Sequence, residues 1–239
     1  MSPDPRFRAL SAHHIVVTAR ALGQRIAERF PESGLSQVAR EVEQVALEAA
    51  DVAAWLSRPH YLLRTSGFVL SAGLCSIVLL AVFALRVDGQ VRSFSYWVQS
   101  IESLINDLVF VGIAVYFLLG LETRRKRAKV VAALHVLRSL AHIIDMHQLT
   151  KDPDRAAMAS RSDTVSSPKR DLSAFELTRY LDYCSELLAI VSKVAALYVQ
   201  ELSDSATVAA ASAVEELCVG LSRTIWQKIV ILDRVLEHN

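Results

Sequence analysis

The stretch from Leu104 to Leu149 constrains this chain more than any other. Its first half, Leu104–Leu121, is apolar, and its second half, Glu122–Leu149, is charged and amphipathic. No proline interrupts it, and only Gly112 and Gly120 lower its helix propensity. One helix of about 45 residues would run ~68 Å, of which a bilayer core takes up only ~30 Å. The remainder must continue into water as a stalk.

A second apolar run, Gly67–Leu85, carries no charged residue. Its ~19 residues rise ~28 Å, enough to cross the hydrocarbon. The hydrophobic content of 52% is above that of an ordinary soluble chain, and the excess is concentrated in these two runs. The expected fold class is an all-α membrane protein: a two-helix transmembrane hairpin with a cytoplasmic antiparallel helical bundle, its helices carrying coiled-coil-like heptad seams. Small residues four apart, Ser71 with Cys75 and Ala72 with Ser76, would allow close helix approach in lipid.

The expected domains follow: a hairpin over 1–64, a transmembrane hairpin over 65–121, a stalk over 122–149, a flexible linker over 150–171 and a C-terminal hairpin over 172–239. Spans of about 67–85 and 104–121 would be joined by an external loop, 86–103. Arg58 and Arg64 precede the first span, and Arg124, Arg125, Lys126 and Arg127 follow the second, whereas the loop offers only Arg86 and Arg92. The positive-inside rule then predicts a multi-pass protein of the inner (plasma) membrane with both termini cytoplasmic. The run Arg124–Arg127 is also a candidate contact for anionic lipid. Asn106 and Asp107, near the outer end of the second span, are intramembrane polar residues and so candidates for function.

Apolar residues recur by threes and fours elsewhere. Ile15, Ala19, Leu22, Ile26 and Phe30 make one helix face, which Pro31 ends; Ser33 is the expected cap of a second helix bearing Leu35, Val38, Val42, Val45, Ala49, Val52 and Leu56. The stalk seam reads Val130, Ala133, Leu137, Leu140 and Ile144. After the linker, Asp171 or Ser173 would cap a helix with Leu177, Leu181, Cys184, Leu188, Val191, Ala195, Tyr198 and Leu202, and a final helix presents Val214, Cys218, Leu221, Ile225, Ile229, Leu232 and Leu236.

One polar constellation stands beside these seams. His135, Arg138, His142 and Asp145 fall within about 80° of each other on a helix. Counting outward from the bilayer brings Asp51 level with Val136 and Glu48 level with Ser139, so those carboxylates are expected beside the histidines and Arg138. Asp182 and Glu186 repel each other at i, i+4 unless cations lie opposite, and the same stripe could supply them. As a metal shell the stripe is poor, since His135 and His142 stand two turns, ~10 Å, apart. No cofactor and no metal is expected.

The net charge of +1 and the lack of any recognition module argue against nucleic acid. The three cysteines form no CxxC and read as free thiols. No nucleophile elbow, P-loop, dinucleotide fingerprint or HExxH occurs. The expected function is a membrane-anchored helical scaffold or adaptor working by protein–protein contact with an unidentified partner and as a homo-oligomer. The alternatives are an oligomeric transport component or small channel, and a metal-dependent membrane enzyme.

Overall fold

The computed structural model describes residues 9–57, 61–87, 94–151 and 172–237. The expected linker beyond Lys151, residues 88–93 of the expected loop, and Pro59 lie outside the described residues. Every regular element among those described is an α-helix: α1 (Ala12–Arg29), α2 (Gly34–Leu56), α3 (Tyr61–Val87), α4 (Phe94–Leu119), α5 (Leu121–Leu149), α6 (Ala174–Glu201) and α7 (Ser205–Glu237). They form two compact units. The first comprises residues 1–57 and 129–239, and the second 58–128.

The first unit is a bundle of amphipathic helices. Ser11 caps α1 by accepting from the His14 N–H at 3.4 Å, and Ser33 caps α2 by accepting from the Ser36 N–H at 3.1 Å. Between the two helices Glu32 takes φ 56°, a left-handed conformation that costs an ordinary residue roughly 1 kcal/mol and reverses the chain within a few residues. Ser173 caps α6 with a complete capping box: its hydroxyl accepts from the Glu176 N–H, and the Glu176 carboxylate accepts from the Ser173 N–H at 2.8 Å. Donation to the Glu176 carboxylate from the Ser173 hydroxyl at 2.7 Å and from the Ser173 N–H, with the nearby Arg29, holds that carboxyl below its ordinary range.

Helix α6 is the centre of this unit. Its buried residues run from Leu177 to Tyr198, and it packs against α7, α2 and α1, while α1 also packs on α2. Ile15, Ala19, Leu22 and Ile26 of α1 are buried, as are Leu35, Val38, Val42, Val45, Ala49 and Leu56 of α2. These belong to the faces the three-four spacing selects, from which Val52 is only half-buried. On α5 the buried stripe is Val130, Leu134, Leu137, Leu140, Ala141, Ile144 and Gln148, so Leu134 and Ala141 join the expected seam and Ala133 is only half-buried.

Helix α5 runs antiparallel to α2 within this unit. The His147 ring packs closely on Gly34, where a Cβ would meet its Cε1, and Lys129 lies 4.6 Å from the centre of the Trp55 ring at the other end. A larger residue there would require the imidazole to move aside.

The second unit is different in kind. Here α3 and α4 pack together as an antiparallel pair, close enough at one end that a Cβ on Gly67 would come 3.2 Å from the Leu118 carbonyl oxygen. Large apolar side chains point outward: Phe68 is 69% exposed, Phe110 72% and Tyr116 74%. Two helices are long and apolar enough to cross a membrane by length and composition, α4 over Ile101–Leu119 and α5 over Leu121–Leu149. A third of α5 is buried, however, and its apolar residues are those that fill the first unit's core. Within α3 the shorter apolar stretch is Gly67–Ile77.

Two expectations need correction. The long helix is not undivided: it breaks at Gly120, where α4 ends and α5 begins, although Gly120 N–H still donates to Tyr116 and Arg124 N–H to Gly120. Glycine's high backbone entropy and low helix propensity make it the natural place for this irregularity. The residues expected to form a loop up to Ser103 are helical from Phe94 onward. Their polar composition suggested a loop, but the segment contains no proline or glycine to stop a helix.

Candidate functional site

The most developed polar arrangement lies in the first unit, where α5 ends against α7. Gln148 continues the buried stripe four residues after Ile144 and is only 1% exposed. Its amide nitrogen donates to Asp145 Oδ1 at 2.5 Å, while its Oε1 accepts from Lys228 Nζ at 2.6 Å. Lys228 also donates to the Gln148 backbone carbonyl at 3.0 Å. A cation from α7 thus reaches a carbonyl at the end of α5 that also accepts from the Lys151 N–H at 3.1 Å, and it complements the negative end of the helix dipole. Close by, Lys151 lies over the Tyr180 ring at 5.2 Å.

Cys184 is fully buried next to this network. Burial pushes its thiol up to about 12, against the opposing pull of Lys228 and Lys151. Burial likewise raises Cys218 to about 11. Neither sulfur is a thiolate at neutral pH, so neither is an activated nucleophile.

A second polar region joins α1 to α6. Arg25, Glu28, Arg29, Arg179 and Tyr183 line an open groove of about 440 Å³. Arg25 pairs with Glu186 at 2.8 Å, Arg179 with Asp182 at 3.0 Å, and Arg29 lies 5.5 Å from the centre of the Phe175 ring. Two of the three guanidinium groups are therefore already matched by carboxylates, which leaves little net charge for a ligand. Beneath them Phe30 meets Tyr180 and Tyr183 edge-on, at 5.4 and 6.3 Å between centroids. Partial burial raises the Asp182 carboxyl above its ordinary value; Arg179 opposes that, and Glu186 and Asp233 add to it.

The residues singled out from sequence divide accordingly. Asp145 enters the Gln148–Lys228 network. Asp182 and Glu186 do find cations, but these are Arg179 and Arg25 rather than Arg138 or the histidines of α5. His135, Arg138 and His142 are exposed on α5, and Glu48 and Asp51 are exposed on α2. The two contacts between α2 and α5 put the register three to six residues away from the sequence count, nearer to Glu48 beside His135 than beside Ser139. Among the described residues, no ion pair or hydrogen bond joins Glu48 or Asp51 to His135, Arg138 or His142; Glu48 accepts instead from Gln44, at 3.0 Å on its own helix. Nor does any group of three or more His, Cys, Asp or Glu side chains among the described residues stand where it could hold a metal ion.

In the second unit Asn106 and Asp107 are exposed on α4. Of the basic run, Lys126 pairs with Glu122 at 2.9 Å, and Arg124 stacks on Phe117 and Tyr116, 4.5 and 5.8 Å from their centroids. Arg125 is exposed.

Sequence reasoning missed Gln148 and Lys228. A glutamine at a core-spaced position is itself a signal, because a buried amide needs partners. Which residue would answer it depended on how α5 and α7 meet. Compared with protein-family models, with curated proteins and with solved structures, the chain matches none.

Proposed function

We propose that this chain is a membrane-anchored helical scaffold, acting through protein–protein contacts and as a homo-oligomer. The observation that carries the reading is the outward face of the second unit. Phe68, Leu80, Leu108, Phe110 and Ile113 are all exposed, forming more apolar surface than a water-soluble surface ordinarily presents. At ~1.5 Å per residue, the 27 residues of α3 and 26 of α4 each exceed a ~30 Å hydrocarbon core. Arg124, Arg125, Lys126 and Arg127 beyond α4 put that end, and both termini, in the cytoplasm. Arg125 is the residue of that run best placed for anionic headgroups.

The contact surface of the first unit is the solvent face of α5, where Val136, Ile143, Met146 and Leu149 are exposed among His135, Arg138 and His142. A helix face that mixes exposed apolar residues with cations suits a protein partner better than a small substrate. The rival reading, a transport component or channel, draws only on Asp107.

Topology tests the reading first. In a Cys75→Ala background, a cysteine at Gly89 should react with an impermeant thiol reagent applied outside the cell, and one at Ser162 should not. Reaction at both positions from one side would end the hairpin model. Ion flux through liposomes containing the protein, abolished by Asp107→Leu, would replace the scaffold by the channel.

A further inference from the structure

Helix α4 carries Ser103, Asn106, Asp107 and Phe110 at relative positions zero, three, four and seven, which is one helix face. Ile101, Ile105, Leu108 and Gly112 fall on the opposite face, and all eight residues are exposed. If the hydrocarbon begins near Leu119, its ~30 Å reach back ~20 residues, to about residue 101. Asn106 and Asp107 then lie ~8 Å inside it. Among the described residues neither makes a hydrogen bond or ion pair. Helix α3 offers little, since the Ser76 hydroxyl already donates to the Ala72 carbonyl at 2.8 Å. Hydrocarbon itself supplies neither donor nor acceptor.

A second copy of the chain supplies both. The same basic residues orient every copy the same way, so equal residue numbers lie at equal depth. The Asn106 amide both donates and accepts, and the Asp107 carboxyl accepts, so two such helices side by side are mutually complementary. Resting on the membrane reading above, we propose that Asn106 and Asp107 join α4 to the α4 of a second copy, the two helices lying parallel.

The test uses the full chain in membranes with Cys75→Ala, carrying single cysteines at Ser103, Ile105, Leu108 or Phe110, under mild oxidation. Buried Cys184 and Cys218 do not interfere. Disulfide-linked dimer should form at positions 103 and 110 in roughly ten-fold greater yield than at 105 and 108. Adding Asn106→Leu with Asp107→Leu should reduce the yield at 103 about ten-fold, while Asn106→Gln should preserve it. Equal yields at the four positions, or a yield at 103 indifferent to the leucine pair, overturns the proposal. Alkaline carbonate extraction of the same sample separates the causes. Protein retained in the bilayer without the facial preference defeats this interface alone, and protein released from the bilayer defeats the membrane reading with it.

Discussion

Leu181 and Leu108 are the same side chain on helices of nearly equal length, and the fold treats them oppositely. Leu181 is 0% exposed at the centre of α6, whereas Leu108 is 63% exposed on α4. The cause is periodicity. Helix α6 confines most of its large apolar residues to a stripe, with Arg179, Asp182 and Lys193 outside it, so neighbouring helices can cover the stripe completely. Between Leu104 and Leu119 α4 is apolar almost all round, and one neighbour cannot cover a whole circumference. The first unit thus finishes its core from its own residues. The second leaves large apolar side chains of both its helices exposed.

The largest test of that contrast is a pair of truncations. Leu181→Ala should destabilise the first unit by ~2–5 kcal/mol, the range for a buried leucine that leaves a cavity. Leu108→Ala should leave the unfolding of that unit unchanged within ~0.5 kcal/mol. Chemical unfolding in mild detergent, followed by circular dichroism, measures both, and equal losses would break the distinction. Lys228→Met comes next. It strips the Gln148 side chain and a carbonyl at the end of α5 of their cation, and should cost ~1–3 kcal/mol, with Gln148→Leu in the same chain recovering part of the loss. No recovery would mean that Lys228 acts mainly through some other contact.

The smallest effect concerns pH. Partial burial makes the folded state hold the Asp182 proton more tightly than a free aspartate does, so it binds more protons than the unfolded chain over the interval just above the ordinary aspartate range. Stability contributed at this site is therefore greatest below the interval and falls as pH rises through it. Asp182→Asn should remove that fall and be neutral or stabilising by less than ~0.5 kcal/mol at pH 7, since the site is largely solvated and its pair with Arg179 contributes little. Unfolding midpoints for both proteins at pH 4 and pH 7 give the comparison. A substitution more harmful at pH 7 than at pH 4 would reverse the sign.

Helical order was legible in the chain wherever its determinants are local. Ser33 and Ser173 announce their helices by standing just before amphipathic runs, and Glu176 completes the second cap from three residues away. The buried faces of α1 and α2 follow largely from spacing, whereas α6 also buries a second row, Tyr180, Tyr183, Leu187, Ile190, Val194 and Leu197, that the expected seam left out. Contacts set by how one helix meets another were not legible. Arg25 reaches Glu186 across 161 residues of sequence, and Lys228 reaches Gln148 across 80. Counting residues from the bilayer placed Glu48 and Asp51 only to within a turn or so of their level. A turn is enough to carry a carboxylate past the cation meant for it.

The first unit is assembled from two separate stretches, residues 1–57 and 129–239. During synthesis the α1–α2 hairpin emerges well before α6, against which both of its helices pack. At ~5–20 residues per second, that interval is on the order of 7–30 s. An apolar hairpin waiting that long is a natural client for a ribosome-associated chaperone, and a natural place for premature pairing between nascent chains on one polysome. Slowing translation across residues 58–128 would lengthen the wait without altering a single native contact.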